Sequence, residues 1–222
     1  MKRITIVLLI CLLLSCNTNP TETLFREARQ LDSLKRYKEA IVIYDKILTI
    51  DEKNIHALLD RAVDKGLTGD IEGEITDLQK ILKLDSTITL ALFNLGVIYG
   101  NLGQYKESIE AFNKAIKTKG GENVTMDLVQ NNFAPDLGKN DVPIVDIKLE
   151  RGIVFYKADS VRKAYIDLTY CIENKYKLGD SYYYRGRTYL KADRLKEGCE
   201  DLKLAELNGM KEATDALNEV CR

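Results

Sequence analysis

A chain of 222 residues is long enough for one domain or two small ones. Apolar residues make up 45% and charged residues 30%, an ordinary globular composition that excludes a disordered chain. A net charge of −1 and a single histidine, His56, exclude a basic nucleic-acid footprint and His-rich metal sites.

The first residues depart from this average. Lys2 and Arg3 give a basic start, and Ile4 to Leu14 are apolar apart from Thr5. Such a core is too short to span a bilayer as a helix, which takes about 20 residues. With the small residue that follows, the order reads as a signal peptide over residues 1–15. Its end, Leu13-Leu14-Ser15-Cys16, resembles the bacterial lipobox. That resemblance implies acylation of Cys16 and anchorage to a membrane rather than passage through it. Asn17, in the position that enterobacterial sorting reads, then implies the outer membrane, facing the periplasm. Residues 16–23 are polar, contain Pro20, and read as a lipidated tether. Loss of Lys2 and Arg3 leaves 31 basic and 34 acidic residues, a net charge of −3, so no nucleic-acid partner is expected.

Beyond the tether the chain repeats. Ala28, Ala62 and Gly96 are 34 residues apart, as are Gly152 and Gly186, and the step between the two sets is 34 plus an insertion of 22. Nine residues after each small residue come Tyr37, Ile71, Tyr105, Val161 and Leu195. Sixteen after come Tyr44, Leu78, Phe112, Leu168 and Leu202, and nineteen after come Ile47, Ile81, Ala115, Cys171 and Ala205. These positions resemble the tetratricopeptide repeat, most clearly in Thr89 to Glu122. The resemblance implies an all-α fold: a right-handed superhelical array of about five helix–turn–helix units, closed by a C-terminal capping helix. Units one to three take residues 24–118, units four and five residues 147–210, and the cap residues 211–222. Small residues belong where the two helices of a unit cross, and Gly69, Gly103 and Asp159 belong in the turns between them. Glu74 stands where an alanine is usual and Lys65 where an aromatic is usual, so the second unit is expected to pack loosely or to let its glutamate reach outwards. The proline common near each unit's end is missing. Residues 119–146 hold Gly120-Gly121, Pro135, Gly138 and Pro143, cannot form one long helix, and read as an insertion.

Of five cysteines, Cys11 leaves with the signal and Cys171 falls at a core position. The chain reverses near Gly209, which would bring Cys199 and Cys221 together on antiparallel helices. A bridge there would contribute roughly 3 kcal/mol, and two free thiols are the alternative.

Nothing in the chain reads as catalytic. Cys-x-x-Cys pairs and phosphate loops are missing, and the spacing of Asp136, Asn140 and Asp141 is not that of a calcium loop, so neither an enzyme nor a cofactor or metal is expected. The resemblance instead implies a protein or peptide partner in a concave groove lined by the first helix of each unit. Mapped onto this chain, the lining is Phe25 and Arg29, then Leu59 and Val63, then Phe93, Asn94, Val97 and Asn101. The fourth unit gives Leu149, Ile153, Tyr156 and Lys157, and the fifth gives Tyr183, Tyr184 and Arg187. The alternative is an envelope-assembly factor that uses the convex face or the insertion.

Overall fold

The computed structural model describes residues 20–119 and 142–221. The expected signal segment, Cys16 and most of the insertion lie outside the described residues. Among those described there are eleven helices and no strand, which is the all-α fold expected. They are α1 Pro20–Ser33, α2 Tyr37–Ile50, α3 Ile55–Leu67, α4 Ile71–Leu84, α5 Thr89–Asn101, α6 Tyr105–Thr118, α7 Ile144–Lys157, α8 Val161–Glu173, α9 Leu178–Lys191, α10 Leu195–Leu207 and α11 Lys211–Val220. None is long and apolar enough to cross a membrane. The chain forms two compact bodies, divided within α4 after Ile81.

Five helix pairs, α1–α2 to α9–α10, repeat one local design. Each pair turns on a residue of positive φ at the same place in the repeat: Lys35, Gly69, Gly103, Asp159 and Asp193. The amide next in the chain reaches back five residues in every turn, as in Gln104 N to Tyr99 O at 2.8 Å and Ser160 N to Phe155 O at 2.8 Å. This is the Schellman closure, which satisfies carbonyls that a helix end leaves open. Glycine occupies two of the five turns, where it adopts the left-handed backbone without a Cβ penalty.

The core follows the same register. Tyr44, Leu78, Phe112, Leu168 and Leu202 are all fully buried, as are Ile47, Ile81, Ala115, Cys171 and Ala205. The small crossing residue makes this possible: a Cβ on Gly96 would stand 2.6 Å from the Phe112 ring. The second pair solves its misfit differently from the expectation. Glu74 stays half-buried at the crossing, its carboxylate lying over Gly66, whose missing side chain leaves it room. Burial pushes that carboxyl's pKa up.

Three pairs carry a device absent from the sequence reading. Arg151 lays its Nε and Nη2 on the two carboxylate oxygens of Asp167, at 2.7 and 2.9 Å, and its Nη1 on Asn113 Oδ1 of the preceding unit at 2.6 Å. Arg185 does the same with Asp201, at 2.7 and 2.9 Å, and with Thr169 at 3.2 Å. In the first body Arg61 holds Asp77 at 2.8 and 2.5 Å and Asp45 at 2.6 Å. Lys65, out of place as an aromatic substitute, joins Asp77 at 2.8 Å. Each arginine thus binds the two helices of its own unit and stitches them to the unit before. Leu95 and Ala111 take the corresponding places in the third unit.

The boundaries shift at two points. Pro20 opens α1, so residues 20–23 of the expected tether are its first turn; proline suits this place because the amide it lacks would have no partner there. At the end of the insertion, Val142 and Ile144 are already core, and α7 starts at Ile144. α6 packs directly on α7, so the insertion interrupts the chain without separating the units on either side. α11 caps the second body with Ala213 and Ala216 buried against Leu202 and Ala205, but Val220, expected on that face, is 36% exposed. Cys199 and Cys221 are bonded, with Cα atoms 5.8 Å apart, and Cys171 is a buried free thiol whose pKa burial raises to about 12.

Two outcomes are expected. Asp167→Ala strands a buried guanidinium and should cost about 3 kcal/mol in chemical denaturation. Arg151→Leu combined with Asp167→Ala, which copies the third unit, should recover most of that loss; equal losses in both variants would show that the pairing is not what matters. In unreduced, denatured protein, alkylation read by mass spectrometry should label Cys171 and leave Cys199 and Cys221 unlabelled.

Candidate partner-binding surface

The expected groove residues fall in both bodies. In the first, α1 carries Phe25 and Arg29. Phe25 is half-buried and meets Tyr44 edge-on at 6.2 Å, while the Arg29 guanidinium stands 5.4 Å over the Phe25 ring and 3.8 Å from Asp60. Val63 is 45% exposed and open to a partner. Leu59 is not: it is 4% exposed, because Ala57, Leu58, Leu59 and Ala62 form one wide buried stripe on α3. The assignment of Leu59 to the groove is therefore corrected to core.

In the second body the first helices α5, α7 and α9 pack side by side. Phe93 and Val97 rest half-buried on the core around Phe112, with the two phenyl rings 5.9 Å apart. Asn94 is half-exposed and Asn101 exposed on the same helix. Leu149 is 2% exposed and, like Leu59, belongs to the core. Ile153 lies half-buried beside Tyr156 and Tyr184, and Lys157 is exposed.

Four of the predicted side chains come together. The rings of Tyr156 on α7 and Tyr184 on α9 are 5.7 Å apart, and Tyr183 meets Tyr184 edge-on at 5.2 Å. Arg187 Nε donates to the Tyr156 hydroxyl at 3.3 Å, and that bond holds its guanidinium pKa up. All four are half-buried: anchored underneath, open above. Burial raises the pKa of Tyr184, so its phenol stays protonated and able to donate.

Lys191 and Glu150 belong to this surface and are missing from the mapped lining. Lys191 Nζ stands 4.4 Å from the Tyr156 ring, donates to the Tyr156 carbonyl at 3.0 Å and pairs with Asp159. Its place in the repeat is that of Asn101 and Lys157, so the signal was present. Glu150, at the place of Asn94 and Tyr184, is half-buried with its pKa raised chiefly by burial. The surface is thus aromatic at its centre and of mixed charge at its edge. No group of three or more His, Cys, Asp or Glu among the described residues is placed to hold a metal ion.

A further polar cluster, also unforeseen, lies in the first body. Tyr44 takes the buried place held by Leu or Phe elsewhere, so its hydroxyl must find an acceptor inside. It donates to Asp32 Oδ2 at 2.7 Å and lies 3.4 Å from Asp60 Oδ2. Asp64, 3% exposed, completes the group.

Residues 21–54 and 89–119 match tetratricopeptide repeat family models. A TPR repeat-containing protein of Methanocaldococcus jannaschii is 26% identical over 166 residues, 75% of this chain and 27% of that protein. A probable UDP-N-acetylglucosamine–peptide N-acetylglucosaminyltransferase SPINDLY of Solanum lycopersicum is 26% identical over 90 residues, 40% of this chain and only 10% of the transferase. The chain therefore spans about a quarter of the first relative and a tenth of the second. Among solved structures, YrrB, described as a TPR protein with an unusual peptide-binding site, superposes with a TM-score of 0.70 at 16% identity, covering 91% of this chain and 94% of YrrB. MamA gives 0.68 at 21% identity over 87% of this chain and 94% of its own. PilW, a type IV pilus biogenesis factor, gives 0.64 at 18% identity over 86% and 79%. Residues 21–54 and 89–119 thus match the tetratricopeptide repeat, and the superpositions show that the chain shares the fold of these solved structures.

Proposed function

We propose that this protein is a membrane-anchored interaction scaffold of the cell envelope that binds a peptide or protein segment on the first-helix face of its second body. The observation that carries the reading is the cluster of Tyr156, Tyr183, Tyr184 and Arg187. Tyr and Arg are enriched among the residues that dominate binding energy at protein interfaces: Tyr offers a large contact area with few rotatable bonds and a polar tip, and Arg a planar fork of donors. Here the rings already hold one another in place, so a partner would order little on arrival. Phe93 and Val97 extend the apolar strip, while Asn94, Asn101 and Arg187 can hydrogen-bond a peptide backbone. The peptide-binding site named for YrrB lends support through the shared fold.

Anchorage rests on the tripartite leader that ends at Cys16. An acyl chain gains about 0.8 kcal/mol per buried methylene, so more than one chain holds a protein firmly to a bilayer. The outer membrane, facing the periplasm, is the proposed site.

A photo-crosslinker introduced at Val97 or Tyr183 should trap partner in the native envelope, and one at Ile166 on α8 should not. Ile166 is 52% exposed on a second helix, so it reports on the opposite reading. Adducts from Ile166 alone would move binding to the convex face and overturn the groove. Separately, cells fed an alkyne-tagged fatty acid should label the wild-type chain and not Cys16→Ser, which should leave the membrane fraction. Equal labelling of the two would remove the anchor.

A further inference from the structure

The polar cluster of the first body contains a conflict of charge. Asp32 Oδ1 and Asp64 Oδ2 are both buried and neither has a hydrogen-bond partner. Asp64 is 3% exposed, so water does not reach it. The surrounding charges do not cancel the pair. From α1, Arg29 is turned to Asp60 at 3.8 Å. From α2, the Tyr44 hydroxyl serves the other oxygen of Asp32 at 2.7 Å. On α3, Asp60 adds a third carboxylate, and His56 acts on Asp60. The cations Arg61 and Lys65 of α3 are drawn away to Asp77 of α4, at 2.5 and 2.8 Å.

Two ionised carboxylates facing each other without water are costly, whereas one proton between them satisfies both orphaned oxygens at once. We propose that Asp32 and Asp64 are a proton-sharing carboxyl pair that clamps α1 onto α3 while protonated and loosens that junction when the proton leaves. The proton sits on one carboxyl and is donated to the oxygen of the other; no bond to carbon changes.

Burial first, then the hydrogen bond to Asp32 and the charges of Asp32 and Asp60, raise the Asp64 pKa to about 7. An unfolded aspartate titrates near about 3.9. Between these values the folded chain binds the extra proton, so stability is full below about pH 4, falls as pH rises towards about 7, and levels off above. Near-neutral pH is where the clamp would respond. Because α1 carries Phe25 and Arg29, its loosening would shift those two side chains within the first body.

The test is a carboxyl carbon NMR titration of the full chain labelled at aspartate. One resonance should titrate at about pH 7 and vanish in Asp64→Asn. Completion of every aspartate titration below about pH 5 would overturn the pair. Millimolar calcium or magnesium should leave the midpoint where it is, and a downward shift would reassign the pocket to a metal ion. In parallel, wild-type Tm should fall by about 5 °C between pH 5 and pH 8, while Asp64→Asn, whose amide supplies the missing donor permanently, should be flatter. Identical pH dependence in both proteins would also overturn the proposal, and the wild-type titration decides it if the variant does not fold. Crosslinking from Val97 or Tyr183 is independent of either outcome.

Discussion

The structure depends on a reciprocal fit repeated five times: a small residue in the first helix lets a large one from the second helix lie across it. Gly96 beneath Phe112 is the clearest instance, since a single added carbon would collide with the ring. Close approach of the two helices is what buries Phe112 completely, and the same fit buries Tyr44, Leu78, Leu168 and Leu202. A pair of amphipathic helices closed this way still has apolar surface left over. That surplus is why, within each body, α2 packs on α3, α6 on α7 and α8 on α9, and why α11 covers the end of the second body.

Onto this apolar frame the chain adds a polar one. Arg61, Arg151 and Arg185 reach an aspartate in their own unit and an acceptor in the unit before. Buried ion pairs rarely improve stability over well-packed apolar groups, because desolvation takes back most of the attraction. Their value lies in geometry. A planar guanidinium with two carboxylate oxygens opposite it accepts only one arrangement of two helices, whereas leucine against alanine tolerates sliding. The third unit, with Leu95 and Ala111, shows that the fold closes without the device.

Aromatic side chains have two roles in this design, set by their place in the repeat: Tyr44 and Phe112 fill the core, and others stand at its margin. At one place in the first helices, Phe25, Phe93 and Tyr183 are half-exposed, while Leu59 and Leu149 are buried. The backbone direction is the same in all five, at the margin of the buried stripe. A ring long enough to seat its base in the core still shows an outer edge, and leucine ends before it emerges. The candidate surface is therefore made of residues too large to be swallowed by the core.

The sequence by itself determined the number of helix pairs, their turns and most of the buried positions, though not those of Leu59 and Leu149. These follow from a period of 34, because periodicity assigns every residue to a face of its own helix; the placing of Tyr156, Tyr183, Tyr184 and Arg187 on one lining came from the resemblance to the repeat family. The pairing of Cys199 with Cys221 followed from the reversal at Gly209 by the same reasoning. What only the tertiary structure decided are encounters between polar groups on different helices. Arg151 and Asp167 repeat at the same spacing in three units, yet a charged residue reads as solvent-facing until a partner is known to meet it inside. Asp32 and Asp64 are 32 residues apart and carry no pattern at all. Their meeting depends on how α1 lies against α3, and on a tyrosine hydroxyl that must be satisfied in the core between them. Periodicity says which way a side chain faces; only packing says what it faces.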